Sequence, residues 1–347
     1  MNVLEVRGLS VSYATPDGPA KAVSSVDLTL RAGEFLGLAG ESGCGKSTLA
    51  LAVSRLLPPA GTVTGGSVLF RSASDPAQVP PVDVLDLTGE PLRAFRWRQM
   101  SMVFQSAMNS LNPVMRVGSQ VADAIRAHDR LMSRAERAAR CAELLDMVGV
   151  GSGHLRSYPH QLSGGMRQRV MIAMALSLGP QVVLMDEPTT ALDVVVQREI
   201  LDEIRALQAR LGFAVLFITH DLSLLLDLAD RIAVMYAGSV VEEAPAADLI
   251  ACAAHPYTIG LLSSFPAVDG PVRELTGIPG SPPGLRQLPD GCAFAPRCPR
   301  AAADCLVQRP LLVPGSAPHR SVACFHPART PAAEPGSQAL APEKRRP

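Results

Sequence analysis

The chain of 347 residues and 36.6 kDa has room for one large domain with an appendage, or for two modest ones. Its 47% hydrophobic content can bury a substantial core, and 32 basic against 32 acidic residues argue against a chain built to hold nucleic acid through bulk positive charge. No apolar run reaches the roughly 18 residues of a transmembrane helix; the best candidate, Val170 to Met185, is split by Gly179 and Pro180. The start, Met1 to Arg7, lacks the basic-then-apolar layout of a signal peptide. A soluble, non-secreted protein without disulfides is therefore expected. The lysines are Lys21, Lys46 and Lys344 alone. Where arginine has displaced lysine elsewhere, a lysine that persists is a candidate for its own chemistry.

In chain order, Leu4 to Tyr13 and Ala22 to Leu30 alternate as strands about a Pro/Gly turn at Pro16 to Pro19. Glu34 to Ala39 predicts a short apolar strand running into a glycine-rich turn, with a helix from Lys46 to Leu57. Gly66 to Phe70 predicts a further strand, and the polar, proline-containing stretch from Ser72 to Pro81 a surface insertion. Met100 to Phe104 is a strand ending at Gln105. From about 106 to 179 the pattern turns helical, with apolar residues at three- and four-residue spacing over Val117 to His128 and Arg134 to Met147. Strands return at Gln181 to Met185, Phe213 to Thr219 and Ile232 to Tyr236, with a helix over Val194 to Leu211. Strands alternating with helices predict an α/β fold, a parallel sheet covered on both faces, with the helical block inserted as a subdomain. After about Pro266 proline, glycine and cysteine dominate, and 327–347 is proline- and alanine-rich without periodicity, an expected disordered tail.

Two motifs carry chemistry by themselves. Gly40-Glu-Ser-Gly-Cys-Gly-Lys-Ser-Thr48 matches the phosphate-loop pattern and falls between a strand and a helix, as the physics requires. The glycines Gly40, Gly43 and Gly45 let backbone amides, with those of Ser42 and Thr48, turn around anionic oxygens at a helix N-terminus. Lys46 would neutralise the β- and γ-phosphates and the Ser47 hydroxyl would bind Mg2+. Cys44 lines the same loop as a small filler with no chemistry assigned to its thiol. Val182 to Asp186 is an apolar strand ending in two carboxylates, at the strand tip where parallel sheets bind ligands. Asp186 would hold the metal through a water and Glu187 would polarise an attacking water.

Leu162-Ser-Gly-Gly-Met-Arg-Gln168 follows the helical block and precedes a helix, and here the chain resembles the ATPase subunits of ABC transporters. In that family this segment presents a serine, here Ser163, and the amides of Gly164 and Gly165, with Gln168 at its end, to the ATP held by the opposite subunit. The resemblance implies further roles in order along the chain. Tyr13 matches the aromatic residue that stacks on adenine, and Gln105 the glutamine that ligates Mg2+ and links the core to the helical block. Ala191-Leu192-Asp193 matches the loop crossing the dimer seam, and His220 the switch histidine at the γ-phosphate. The resemblance covers residues 1–265 and implies a P-loop ABC ATPase domain with its helical subdomain at about 106–179. Gln105 to Pro113, Asp186 to Val194 and His255-Pro-Tyr-Thr258 are more specifically similar to the dipeptide/oligopeptide and nickel importer group, as is Gly291-Cys-Ala-Phe-Ala-Pro-Arg-Cys-Pro299 in a C-terminal region over 266–326.

Cys292, Cys298, Cys305 and Cys324 are separated by five, six and eighteen residues. Structural zinc sites use pairs two to four residues apart, whereas wider gaps suit thiolates around a [4Fe-4S] cluster, which some members that the tail resembles contain. Zn2+ and four unligated thiols are the alternatives, with His319 and His326 read as solvated. The resemblance as a whole implies an ATP- and Mg2+-dependent subunit of a peptide importer, peripheral at the cytoplasmic face of the cell membrane. Its implied partners are a second ATPase subunit, two transmembrane permease subunits and an extracytoplasmic peptide-binding protein, with no nucleic acid. A soluble ABC ATPase acting on nucleic acid or ribosomes and an importer of nickel or another small solute are the rivals.

Overall fold

The computed structural model describes residues 1–72, 80–105, 110–190, 192–264, 277–315 and 319–328. Most of the expected surface insertion, the start of the helical block at 106–109, Ala191, the junction at 265–276 and the tail beyond 328 lie outside them.

The chain opens with β1 (Asn2–Tyr13) and β2 (Ala20–Arg31), then β3 (Phe35–Ala39), α1 (Lys46–Val53), β4 (Gly61–Phe70) and β5 (Val82–Asp83). Next come α2 (Gly89–Phe95), β6 (Met100–Val103), α3 (Val117–His128), α4 (Arg134–Met147), α5 (Gly164–Ala175) and β7 (Val182–Asp186). After these follow α6 (Val194–Leu211), β8 (Ala214–Ile218), α7 (Leu222–Leu228), β9 (Arg231–Tyr236) and β10 (Ser239–Pro245). The C-terminal part holds α8 (Ala246–Cys252), α9 (Pro256–Ser263), α10 (Ala303–Val307), β11 (Val313–Pro314) and β12 (Ser321–Val322). Among the described residues no helix is long and apolar enough to cross a membrane.

The strands form two sheets where the sequence predicts one. The main sheet runs β11-β12-β10-β9-β3-β8-β7-β6, and a second, antiparallel sheet runs β2-β1-β4-β5. β1 and β2 are joined by too short a turn for a parallel crossover, so they pair with each other instead of entering the main sheet. In the main sheet β3 lies between β8 and β9, both parallel to it. Its side chains alternate between two cores: Phe35 joins the helical side with Val215 and Phe217, while Leu36 and Leu38 join the side of α1 and the second sheet with Leu216. A strand buried on both faces reads as a continuous apolar run, which is why β3, β7 and β8 are legible in the sequence.

α3, α4 and α6 have the bounds that their periodicity predicts. α4 begins in a capping box, Ser133 accepting from the Glu136 amide while Glu136 accepts from that of Ser133. The region after 276 does not stand apart: β12 pairs with β10 and so extends the main sheet at its antiparallel end.

Candidate functional site

β3 delivers the chain at Ala39 into the loop 40–45, and α1 begins at Lys46. Gly40 has φ +152° and Gly45 φ +107°; a Cβ at the first would lie 2.2 Å from the Met235 carbonyl oxygen, and at the second 2.1 Å from that of Ala22. Only glycine fits either place. Lys46 is buried, and its ammonium donates to the carbonyls of Gly40 at 2.7 Å and Glu41 at 3.0 Å. Cys44 is buried beside it, and burial pushes its thiol pKa up. The Tyr13 and Thr48 hydroxyls approach to 3.4 Å, so the expected adenine aromatic stands over the first turn of α1.

Ser47 donates to Asp186 Oδ1 at 3.0 Å. Burial raises the Asp186 carboxyl above its usual range, and the Ser47 hydrogen bond opposes that rise. The next residue, Glu187, has φ 44°, an uncommon left-handed conformation for a side-chain-bearing residue. Its backbone N–H donates to the Ile218 carbonyl on β8. Three polar side chains converge on its carboxylate: Gln105 Nε2 at 3.1 Å, the Thr190 hydroxyl at 3.0 Å and His220 Nδ1 at 3.0 Å. Residues from the ends of β6, β7 and β8 thus meet at one edge of the sheet, beside the Ser47–Asp186 pair, where a metal-nucleotide complex and an attacking water would need them.

The signature segment lies elsewhere. Ser163 caps α5 by accepting from the Met166 amide and remains exposed. Gly165 is buried, and a Cβ there would come within 2.7 Å of Val196 Cγ1 on α6. Gln168 is 1% exposed and its Nε2 has no hydrogen-bond partner, so it faces the interior, away from the surface that presents Ser163. Asp193 is exposed and caps α6 through the Val196 amide. Among the described residues no hydrogen bond or ion pair connects Ser163, Gly164, Gly165, Gln168 or Asp193 to the loop 40–48. Within one chain the site at Lys46 is one half of the predicted set, and the signature is the other.

In the C-terminal segment Cys292, Cys298, Cys305 and Cys324 are free thiols lining one cavity with His255, Phe294 and His326. Burial raises the thiol pKa of Cys292 and Cys298, and pushes that of Cys324 to about 11, with the neighbouring thiols adding to each rise. His255 is buried, which holds its imidazole down at about 4, and its Nδ1 accepts from the Tyr257 amide, leaving the ring proton on Nε2. His326, expected to be solvated, has its side chain 41% exposed and bonds Asp304 at 2.9 Å, next to Cys305.

A model of the ABC transporter family matches residues 23–190, and one of the oligopeptide/dipeptide transporter C-terminal region matches 241–305. The chain is 44% identical over 327 residues to the oligopeptide transport ATP-binding protein OppD of Salmonella typhimurium, covering 94% of each. It is 43% identical to OppD of Escherichia coli K12, over 94% of this chain and 93% of that one. The chain belongs to the ABC transporter ATPase subunits. A solved dimer of the ATP-binding cassette MJ0796, in a post-hydrolysis state with ADP and Pi, has a TM-score of 0.60 and 29% identity. It covers 70% of this ABC subunit and 98% of its own chain.

The sequence reading missed several residues of this ABC subunit's site. Thr190 sits in a run quoted only for its family likeness, and so do Tyr257 and Arg297; Glu41 is an open position of the phosphate-loop pattern and Tyr236 ends a predicted strand, so none of these last four has a motif role of its own. The contacts that give them one are made across more than two hundred residues, and no local pattern could have pointed to them.

Proposed function

We propose that this subunit energises the import of peptides, hydrolysing ATP between its own phosphate loop and the signature of a second ATPase subunit at the cytoplasmic face of the membrane, with separate permeases carrying the solute. In this reading Lys46 and the loop amides hold the phosphates, and Ser47, Gln105 and Asp186 hold Mg2+. Tyr13 packs on adenine, Glu187 accepts a proton from the attacking water, and His220 orients Glu187 and meets the γ-phosphate. The observation that carries it is the convergence of Gln105, Thr190 and His220 on Glu187 beside the Ser47–Asp186 pair. A lone acidic turn would have no reason to collect an amide, a hydroxyl and an imidazole on one carboxylate. The peptide assignment draws on the relatives' transport of oligopeptides and on the C-terminal match. Reconstituted with its cognate permeases and binding protein in vesicles, the subunit should couple ATP hydrolysis to uptake of short peptides. Hydrolysis stimulated by nickel ions and indifferent to peptides would select the rival cargo.

For the four cysteines we propose a [4Fe-4S] cluster held by Cys292, Cys298, Cys305 and Cys324. A tetrahedral zinc with sulfur ligands at about 2.3 Å brings its sulfurs within about 4 Å of one another. The one group of three ligand atoms within 4.8 Å of one another among the described residues is Asp304, Cys305 and His326, so no three of the four thiols are drawn in that far. The donor set favours a thiophilic group: four thiols line one cavity, and Cys292, Cys298 and Cys324, whose pKa values burial raises, would ionise readily only with a cation between them. Bound there, the cluster would act as a covalent tie among four separated points of a segment poor in apolar periodicity.

A further inference from the structure

Arg297, one residue before Cys298, is the side chain that reaches from the cysteine segment to the phosphate loop. Its guanidinium is buried and forms a two-pronged pair with Glu41, Nη1 to Oε2 at 2.7 Å and Nη2 to Oε1 at 2.9 Å, across 256 positions of sequence. Nε donates to the Pro279 carbonyl at 2.8 Å, and Nη1 also reaches the Tyr236 hydroxyl at 3.3 Å. Glu41 is the second residue of the phosphate loop. Its amide donates to the buried Tyr257 hydroxyl at 2.9 Å, and its carbonyl accepts from Lys46. Each polar group of residue 41 is therefore occupied, two of them by residues beyond 255. The same segment grips the β1–β2 hairpin, where the Lys21 amide donates to the Leu285 carbonyl and Arg286 pairs with Asp17.

A carboxylate is an odd choice inside a loop that gathers amides around phosphates, because like charge opposes the ligand. Arg297 answers that charge with a permanent cation whose planar fork matches both carboxylate oxygens, and the match also fixes where the carboxylate points. The Tyr257 hydroxyl takes the residue 41 amide out of the set available to an anion. Loop shape and loop charge both depend on a segment that the hydrolytic residues never touch.

We propose that Arg297 is a positioning residue for the phosphate loop: by neutralising and orienting Glu41, it makes the cysteine-bearing C-terminal segment a determinant of this subunit's affinity for ATP. The proposal rests on the reading of Lys46 as the phosphate lysine. Binding of a non-hydrolysable ATP analogue with Mg2+ to the full chain tests it, together with KM and kcat for ATP. Loss of the charged pair in Arg297→Gln should weaken binding about tenfold and raise KM alike, with kcat at saturating ATP within about twofold of the native value. Arg297→Lys, which keeps the charge and loses the fork, should fall between the two. In Glu41→Gln/Arg297→Gln nothing is left to neutralise, and affinity should return to within about threefold of the native chain. Native affinity in Arg297→Gln, or a double variant no tighter than Arg297→Gln, would overturn the proposal and leave Arg297 as a tether for the segment. Should Arg297→Gln fail to fold, native affinity in Arg297→Lys would overturn it equally. Lys46→Ala separates the two levels. Loss of binding there with no effect at Arg297 sinks this inference alone, whereas undiminished binding in Lys46→Ala sinks the nucleotide site itself.

Discussion

The phosphate loop and the cysteine segment are both compact turns with a glycine that another backbone crowds, yet they are held by different physics. The loop hangs between two rigid elements, the fully buried β3 and α1, and a Cβ at Gly45 would strike the Ala22 carbonyl at 2.1 Å. In the segment a Cβ at Gly291 would strike the Cys305 carbonyl at 2.3 Å, but here the partner sits on the short helix α10 of the same segment and not on the sheet. What fixes that segment is two side-chain contacts, the Arg297–Glu41 pair and Phe294 edge-on to Tyr236 at 5.3 Å, with one backbone hydrogen bond from the Cys292 amide to the Cys305 carbonyl. A site on regular elements inherits its precision from the sheet, whereas one in an irregular segment needs dedicated ties. The loop's existence is therefore robust to changes in the segment, but its tuning is not.

The largest effect should come at the catalytic edge of the sheet. Glu187→Gln keeps the shape that Gln105, Thr190 and His220 surround and removes the charge. Turnover should fall by 10²- to 10⁴-fold, about 3 to 5 kcal/mol of barrier, with nucleotide binding retained. Near-native hydrolysis in the assembled transporter would remove Glu187 from its role. Gly45→Ala attacks the loop's own backbone, where left-handed φ and the Ala22 carbonyl both forbid a side chain. It should lower stability by about 1 to 3 kcal/mol in denaturant titration, and abolish tight ATP binding. A variant that bound ATP normally would mean the loop is looser than its contacts imply.

Changes in the segment should be milder at the nucleotide and sharper locally. Prepared without oxygen, the native protein should carry about four irons per chain. Cys298→Ser should lose them and become faster to proteolyse near the segment, while ATP still binds with reduced affinity. One zinc per chain in a colourless native preparation would select the zinc alternative. Smallest of all is Tyr257→Phe, which deletes only the hydroxyl that accepts from the Glu41 amide. A cost of about 1 kcal/mol in stability and a modest rise in KM for ATP are expected. A change in kcat without any change in KM would contradict a role confined to the loop.

Much of the catalytic half was legible because its chemistry is carried by short spacings on regular elements. Lys46 and Ser47 open a helix after an apolar strand, and Asp186 and Glu187 end another. Those spacings predict neighbours, and the Ser47–Asp186 hydrogen bond is the result. Gln168 shows where such reading stops. It belongs to the signature run by sequence, but the helix turns it into the core while Ser163 stays at the surface. The second sheet was hidden for a related reason: an alternating strand declares which face it buries, not which partner it pairs with.

By itself, then, the sequence determined β1 to β4 and β6 to β9, the helices α3, α4 and α6, the phosphate loop and the grouping of four cysteines, since periodicity, glycine placement and motif spacing act over a few residues and survive without tertiary context. Only the tertiary structure decided that two sheets form and that β12 extends the main one. It alone joined Arg297 to Glu41. The pairing of a cation and a carboxylate 256 positions apart is set by where a buried sheet carries each, and nothing in the residues around either one records it.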